Sequence, residues 1–474
     1  MAKEPTPLVD AVRAARTAER QPLQIPGHKG RYSSADSDAI GADLLHDLIR
    51  DDVSLQGGAD DNYYSNGFLT AAEALYASAI GAAHTRFLVG GSSQGNIAAM
   101  LTIAGDGSRI AVDRTSHRSA LAGLVLSGAS PTWIYPDIHP EFGIPIGISS
   151  LDSLTHESAV FLTSPAYVGT ITDLEPLITS AHAAIRLVAV DQAWGAHLDF
   201  GVAGIRSALQ CGADVVVTSI HKALLGYSQT ATISMSSRAI DAARLDRSVD
   251  TTATTSPSAT LLASIDATRA AMQRDGKAAI ERAMTAAEEM RKVLRVVAGA
   301  VVLDETTTGV TVDPLKVTLW LPRTGLTGTE IAAMLWNEGH GVETADSDTI
   351  VMTVSVADDS KTVVAIAEKV ARFIESQRRA AREPMPSAVW HVKPDVAMTP
   401  RAAYFAARRR IALKDAAGQI SAEQFCPYPP GVPLLGPGER VTQEVIEAIA
   451  IAGKSGRVAY CSDSSLQTIE VVAQ

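Results

Sequence analysis

The stretch ADVVVTSIHK, residues 213–222, joins an apolar run directly to a histidine and a lysine. The run ADVVVTS is rich in β-branched residues and predicts a strand buried on both faces of a sheet. His221 and Lys222 stand just beyond its carboxyl end, although an unpaired lysine is among the residues that proteins bury least. The sequence therefore has to supply a chemical partner for Lys222.

Five similar runs precede this one, and they predict the fold class. They are RFLVGG, SRIAVD, PTWIYP, SAVFLTS and IRLVAVD, all between residues 86 and 191. Each is followed by glycine, serine or aspartate and then by an alanine-rich helical pattern. Strands that alternate with helices predict an α/β fold with a largely parallel sheet covered on both sides. Because ligands bind beyond the carboxyl ends of such strands, we expect the polar residues there to lie together.

The pattern changes after residue 270. A long helix over 276–299 is expected to connect the first domain to a smaller α/β section. That section alternates strands and helices over 310–322, 329–341, 349–356 and 360–379. CPYPPGVPLLGPGE, residues 426–439, is too rich in proline and glycine for a regular element and predicts a shaped loop. The predicted organisation is an N-terminal arm over 1–30, a large domain over 31–298 and a C-terminal α/β domain over 299–474.

Composition excludes several classes of function. The chain has 474 residues, of which 46% are hydrophobic, so we expect two or three packed domains. A net charge of −11 without a basic stripe disfavours nucleic acid as a partner. The three cysteines show no metal or disulfide spacing, and no segment reads as a signal peptide or membrane span. The sequence thus predicts a soluble cytoplasmic protein without a metal.

Asp191 closes the run before Lys222 and suggests a cofactor for both. Pyridoxal 5'-phosphate requires a lysine for a Schiff base, a carboxylate beside its pyridine nitrogen and a set of donors for its phosphate. Asp191 taken alone is better explained as a helix cap after a strand. Together with Lys222, it supplies two of the three requirements.

GGSSQGN, residues 90–96, is the candidate for the third requirement. It lies between the run RFLV and a helical pattern, so its glycines permit close approach while Ser92 and Ser93 offer hydroxyl groups. The start of a helix adds free N–H groups and a dipole that favours anions. Without its neighbours the segment reads as a plain turn that caps a helix, and it is neither a P-loop nor a GxGxxG motif.

Six segments taken together resemble motifs of the ornithine/lysine/arginine decarboxylase family, whose members are fold-type I pyridoxal phosphate enzymes. The segments are PGHKG at 26–30, GSSQGN at 91–96, DQAWGAH at 191–197, SIHK at 219–222, TTSPSA at 254–259 and PYPPGVPLLGPGE at 427–439. They occur in family order over nearly the whole chain. Because PGHKG begins almost at once, the chain is similar to the short members without an N-terminal flavodoxin-like domain.

The resemblance assigns cofactor roles to named residues. Lys222 would carry the cofactor as a Schiff base, and Asp191 would pair with the pyridine nitrogen. The phosphate would be bound by Ser92, Ser93, Gln94, Ser219 and His221. His117, in DRTSHRS, would stack on the ring, although a lone histidine is by default an exposed loop residue. Trp194 is expected to pack near the ring.

The resemblance also assigns substrate contacts. Glu439, at the end of PYPPGVPLLGPGE, would bind the cationic side chain of the substrate, although it equally fits a first-turn acid of the following helix. Thr255 and Ser256 would reach the active site from the partner subunit of a homodimer. PGHKG would lie near the active-site entrance, whereas by its residues alone it is a turn.

The implied reaction is decarboxylation of lysine, arginine or ornithine to a polyamine precursor. Lys222, His221 or another acid would return a proton to Cα, and the sequence does not choose among them. A fold-type I aminotransferase or lyase is the first alternative, and a non-catalytic homologue is the second. An aminotransferase would need an arginine to grip the substrate carboxylate, and none stands in the motifs.

Overall fold

The structure is a computed structural model that describes residues 4–17, 52–53, 67–236, 240–428, 431–454 and 458–473. PGHKG at 26–30 lies outside the described residues. In chain order the strands are β1 His84–Leu88, β2 Arg109–Asp113, β3 Ser130–Ile134, β4 Asp137–Ile138, β5 Pro145–Gly147, β6 Ala159–Thr163, β7 Leu187–Asp191, β8 Val215–Ser219, β9 Ala231–Met235, β10 Val301–Leu303, β11 Lys316–Trp320, β12 Thr344–Ala345, β13 Thr349–Thr353, β14 Arg408–Ala412, β15 Cys426–Tyr428, β16 Val458–Tyr460 and β17 Thr468–Val472.

The α-helices follow the same order. They are α1 Pro7–Thr17, α2 Phe68–Ile80, α3 Gly91–Ile103, α4 Ser119–Ser127, α5 Leu174–Ala183, α6 Ile220–Ala223, α7 Ala242–Thr252, α8 Ala259–Arg295, α9 Glu305–Thr308, α10 Gly328–Asn337, α11 Ser360–Gln377, α12 Pro400–Phe405 and α13 Gln443–Lys454. Among the described residues, no helix is both long and apolar enough to cross a bilayer.

The large sheet has the order β1-β9-β8-β7-β6-β2-β3 in the described part of the chain. Neighbouring strands from β8 to β3 are parallel, whereas β9 is antiparallel to both β1 and β8. All six runs predicted as strands lie in this sheet, so the predicted α/β class with a mainly parallel sheet is confirmed. The antiparallel strand β9 was not predicted.

Both faces of the large sheet are buried. Along β8, Val215 and Val217 pack into one hydrophobic cluster and Val216 packs into another. This alternation follows from the two-residue period of a strand, since successive side chains point to opposite faces. The continuous β-branched run therefore corresponds to a strand that is buried on both faces, as predicted.

The helix α8 links two hydrophobic cores. Its N-terminal part, up to Ile280, contributes Leu262 and Ile280 to the core beneath the large sheet, and its C-terminal part contributes Met290 and Leu294 to a separate core. The second core includes the antiparallel sheet β10-β11-β13-β12 and the helices α10 and α11. The predicted helix over 276–299 is thus present, but it begins earlier, at Ala259. The domain boundaries at residues 30 and 298 stay predictions.

The segment 426–439 is mostly irregular, as predicted, but begins as a strand. β15 pairs with β16, and Phe425 then bridges to Leu435 across the segment. Gly431 and Gly438 have φ angles of 81° and 90°, which side chains other than glycine rarely adopt. A fourth hydrophobic cluster, which includes Leu434 and Val441, packs beneath the segment and fixes its path.

Candidate functional site

A cavity lies at the carboxyl edge of the large sheet. The strand register places Thr163 beside Asp191 and Asp191 beside Val217, so β6, β7 and β8 end close together. The cavity has a volume of about 230 Å³. It is lined by Gly91, Ser92, Ser93, Thr115, His117, Thr163, Ala166, Tyr167, Asp191, Ala193, Trp194, His221, Lys222, Glu343, Tyr428 and Val432.

Lys222 lies in α6, the short helix that directly follows β8. Its Nζ is 3.8 Å from the ring centroid of Trp194, which follows β7. Burial lowers the pKa of Lys222, while the negative charges of Asp191 and Glu343 oppose that shift. A lysine with a lowered pKa has a larger neutral fraction, and the neutral amine is the nucleophilic form.

Asp191 is the acid at the inner end of the cavity, with 3% of its surface exposed. Its Oδ2 accepts a hydrogen bond of 2.6 Å from Asn96 Nδ2, and its Oδ1 accepts one of 3.0 Å from the backbone N–H of Ala193. Burial raises the pKa of Asp191, whereas the Lys222 charge and these hydrogen bonds favour the ionised form. The two donors hold the carboxylate in one orientation.

The N-terminus of α3 forms one wall of the cavity. Ser92 and Ser93 lie in its first turn, and Ser219 Oγ donates a 2.8 Å hydrogen bond to Ser92 Oγ. The Gly91 amide donates to Gln229 O, whereas the amides of Ser92 and Ser93 have no acceptor within their own helix and, with the positive end of its dipole, are available at this wall. This wall can bind a phosphate group.

Gln94 and Ser219 differ from the other predicted phosphate ligands because they do not line the cavity. Gln94 Oε1 accepts a 3.0 Å hydrogen bond from the backbone N–H of Gly90 and so closes the turn before α3. Ser219 is fully buried behind Ser92. In this structure Ser219 touches Ser92 and not the open cavity, whereas Ser93 lines the cavity directly.

The two histidines lie on different sides of the cavity. His117 Nδ1 is 2.9 Å from Ser119 Oγ, and burial lowers its pKa to about 4, with further lowering by Lys222 and Arg118. The ring of His117 is therefore neutral at ordinary pH. His221 Nδ1 donates to the Thr230 carbonyl oxygen at 3.0 Å, which leaves Nε2 as the nitrogen able to exchange a proton.

Glu439 does not lie in the cavity. Its carboxylate binds the Arg114 guanidinium through two contacts of 2.5 and 3.0 Å and also accepts from the Gly436 N–H. Both side chains are almost fully buried. Nor does Glu439 lie in the first turn of α13, which begins at Gln443. The structure thus gives this acid a partner within the chain.

Thr255 and Ser256 are exposed and lie outside the cavity of their own chain. Ser256 N–H donates to Thr254 Oγ1, a contact within the local turn. Their predicted approach to the active site of a partner subunit concerns a second chain and stays a prediction.

Several residues of the site were not assigned roles from the sequence. Asn96 belongs to GGSSQGN and Tyr167 closely follows the run SAVFLTS, so the position beyond a strand end is a signal that extends to both residues. Glu343 and Lys316 carry no comparable signal, because they come from the small sheet. Lys316 Nζ lies 3.5 Å from the Trp194 centroid and donates to Thr353 Oγ1 at 2.8 Å. Lys222 of α6 and Lys316 of the small sheet therefore contact one indole ring.

Comparison with known proteins assigns the chain to a family. Residues 6–309 match the model of the Orn/Lys/Arg decarboxylase major domain, and residues 384–456 match that of its C-terminal domain. The arginine decarboxylase of Bacillus subtilis is 32% identical over all of this chain and 99% of its own length. The arginine decarboxylase of Halalkalibacterium halodurans is 30% identical over all of this chain and 98% of its own length.

A solved structure confirms the predicted fold. The lysine decarboxylase LdcF of Francisella novicida superposes with a TM-score of 0.82 at 17% identity, covering 99% of this chain and 81% of that one. At this identity the likeness concerns the fold, and the family models and whole-length relatives decide the family. The chain belongs to the Orn/Lys/Arg decarboxylase family.

Proposed function

We propose that this chain is a decarboxylase of basic L-amino acids that uses pyridoxal 5'-phosphate held by Lys222, with L-arginine as its preferred substrate. One observation carries the proposal: Lys222, Asp191 and the N-terminus of α3 line the same cavity. The choice of arginine is supported by two whole-length relatives that are named arginine decarboxylases.

The residues of the cavity fit this cofactor. The first turn of α3 supplies amides and the hydroxyls of Ser92 and Ser93 for the phosphate. Asp191, oriented by two hydrogen bonds, would hold a proton on the pyridine nitrogen. Lys222 contacts an aromatic face, and no hydrogen bond of its amine is found within the described residues, so the amine is available for a covalent bond. When bound, the cofactor supplies an electron sink for the pair released as carbon dioxide leaves.

The chain's own side chains then orient the substrate and move a proton. Neutral His117 would pack against a flat ring without adding charge. Lys222 and His221 both line the cavity, and each has a nitrogen able to return a proton to Cα. His221 has its Nδ1 fixed by Thr230, which sets the orientation of its ring. Trp194 and Tyr167 supply aromatic walls that limit access of water.

A panel assay tests the proposal. Purified protein with pyridoxal 5'-phosphate is given carboxyl-labelled arginine, lysine and ornithine, and released carbon dioxide and amine products are measured. We expect agmatine and carbon dioxide from arginine in equal amounts, and no activity from Lys222→Ala. Lys361→Ala, an exposed lysine of the small domain, serves as the matched control. Formation of a keto acid in place of an amine would contradict the proposal and favour an aminotransferase.

A second measurement does not depend on turnover. Borohydride reduction followed by peptide mass spectrometry should place the cofactor mass on Lys222. If the reduced protein carried the cofactor on another lysine, or carried no cofactor, the proposed role of Lys222 would be contradicted. In that case the non-catalytic alternative would stand.

We further propose a cytoplasmic homodimer with shared active sites. All three cysteines are free, which suits a reducing compartment. The exposure of Thr255 and Ser256 is what a contribution to a partner's site requires. Mixing Lys222→Ala chains with chains that carry Thr255→Ala and Ser256→Ala should restore part of the activity, because one site of each mixed dimer has all native residues. Absence of restoration, or a monomer in light scattering, would refute sharing.

A further inference from the structure

The substrate of the proposed reaction carries a cation at the end of its side chain. A cation that leaves water needs an acidic partner or it loses much of its binding energy. Glu439 is already occupied by Arg114. The lining of the cavity includes Asp191 and Glu343 as its acids, and Asp191 is held by Asn96 and the Ala193 amide. Glu343 is the cavity acid left to receive the substrate cation.

Glu343 has the position and the freedom for this role. It precedes β12 in the small sheet, where its backbone N–H donates to Val351 O at 3.0 Å. Its carboxylate forms no hydrogen bond or ion pair within the residues that the structure describes. The side chain is exposed, so it lies at the mouth of the cavity and not at its inner end. A carboxylate there can bind a ligand without breaking an existing contact.

The charges around the cavity favour a position of the substrate's side-chain cation near that mouth. Lys222 and Lys316 both lie over the Trp194 ring. Burial lowers the pKa of both amines, and the negative charge of Glu343 opposes that shift in each, as expected of a carboxylate within electrostatic reach of the inner site. Two lysines at the inner end repel a second cation there. A substrate cation is therefore favoured beside Glu343 over the lysine end of the cavity.

Aromatic residues complete the surroundings of the acid. Tyr167, Trp194 and Tyr428 line the same cavity. A guanidinium group is planar, stacks on aromatic faces and pairs with a carboxylate through two hydrogen bonds. A cavity with several aromatic walls and the Glu343 carboxylate, which is unpaired among the residues that the structure describes, matches these preferences.

We propose that Glu343 binds the side-chain cation of the substrate and sets the preference for basic over neutral amino acids. This inference rests on the proposed function and adds to it a residue that determines specificity. It also moves that role from Glu439, in the segment 426–439, to a residue that directly precedes β12 of the small sheet.

The test compares arginine with citrulline, its uncharged isostere, in Glu343→Gln. We expect kcat/KM for arginine to fall about 10- to 100-fold, as for the loss of one hydrogen bond to a charged group, mainly through KM. The kcat/KM for citrulline should change by less than about 3-fold, because its uncharged ureido group gains nothing from the charge of Glu343. The ratio of kcat/KM for arginine to kcat/KM for citrulline should therefore fall. Glu343→Asp, which keeps the charge, should lose less. Glu375→Gln, an exposed acid on α11, should match the wild-type protein.

A binding measurement separates this inference from the proposed function. Agmatine should bind wild-type protein more tightly than Glu343→Gln by a similar factor in calorimetry. If the wild-type protein releases no carbon dioxide from any basic amino acid, the proposed function fails. If it decarboxylates arginine while Glu343→Gln keeps both the substrate ratio and the agmatine affinity, the role of Glu343 alone is refuted. Equal melting temperatures of the wild-type protein and Glu343→Gln would show that neither result comes from a loss of stability.

Discussion

Arg114 and Glu439 form a buried ion pair between the end of β2 and the segment 427–439. The guanidinium also lies 4.4 Å from the Trp133 ring centroid and donates to the Leu434 carbonyl. Removing one partner leaves the other charge buried, which costs about 3–5 kcal/mol. We therefore expect Glu439→Gln to lower the free energy of unfolding by about 3 kcal/mol while KM stays nearly constant, as measured by urea denaturation and steady-state kinetics.

The double variant Arg114→Met, Glu439→Gln is the control for this pair. Since it removes both charges, it should recover much of the stability lost by the single variant. A large rise in KM for Glu439→Gln with unchanged stability would return the acid to a role in substrate binding.

His117 gives the molecule a specific dependence on pH. Its pKa lies near 4 in the folded protein, mainly because the ring is buried. The unfolded chain has the ordinary value near 6.5, so it binds a proton between pH 6.5 and 4 that the folded chain does not. Falling pH therefore reduces stability through this residue, by up to about 3 kcal/mol. We expect His117→Phe, measured before cofactor is added, to lose less stability between pH 7 and pH 4.5 than the wild-type protein.

If His117→Phe lost as much stability as the wild-type protein over this pH range, or more, His117 would be protonated in the folded protein. A cation at that position would also change its role toward the cofactor ring. The curves thus report on the protonation of a site residue without any assay of activity.

At the scale of elements, α3 has to lie against β8 for its first turn to reach the cavity. Gly95 permits this contact, because a Cβ atom there would lie 2.5 Å from Val217 Cγ1 and 3.0 Å from Leu88 Cδ1. Gly95→Ala should push the helix away from the sheet and displace Ser92 and Ser93. We expect a loss of about 1–3 kcal/mol in stability and weaker binding of pyridoxal 5'-phosphate, measured by melting and by cofactor titration.

Gly276→Ala in α8 is the matched glycine substitution. Its nearest neighbour would be the flexible end of Met272 at 3.0 Å, and glycine inside a helix costs about 1 kcal/mol relative to alanine. We expect this variant to be as stable as the wild-type protein or slightly more stable, with unchanged cofactor binding. Equal losses in both variants would mean that the contact of Gly95 with β8 has no special importance.

The elements show what the sequence could predict and why. The β-branched runs that end at Asp113, Asp191 and Ser219 predicted their strands, since burial on both faces demands such residues. β9, with the sequence ATISM, was missed because it is antiparallel and has no helical pattern after it. The early start of α8 was missed because Thr260 to Thr268 carries alternating polar residues. Both misses concern elements whose identity depends on tertiary contacts.

The residues of the site divide in the same way, into those that local sequence patterns predict and those that depend on tertiary contacts. Lys222, Asp191, Ser92 and His117 lie in one cavity because the carboxyl ends of parallel strands meet at one edge. Glu343 approaches from another sheet, and no local pattern encodes that approach. The partner of Glu439 was also beyond sequence reasoning, because Arg114 lies far away in the chain.

At the scale of the whole molecule, Lys316 joins the small sheet to the site at the edge of the large sheet. This residue is 1% exposed, starts β11 of the small sheet and contacts Trp194, which follows β7 of the large sheet. Burial lowers its pKa to about 8. A buried cation is costly to the folded state, so its presence suggests a role in the site more than in stability. The amine over the indole fixes Trp194 beside Lys222.

Lys316→Met keeps the length of the side chain and removes the charge, so it separates stability from function. Between pH 8 and 10.5 the unfolded chain binds a proton that folded Lys316 has lost, and wild-type stability therefore rises with pH in this window. We expect the variant to exceed the wild-type protein by up to about 3 kcal/mol at pH 7 and by progressively less toward pH 10, in urea denaturation. Its kcat/KM should fall, since Trp194 loses a contact, whereas Lys361→Met on the surface should change neither quantity. A variant that is less stable at pH 7, or a stability difference that widens with pH, would mean that the Lys316 charge stabilises the fold through its contacts with Trp194 and Thr353.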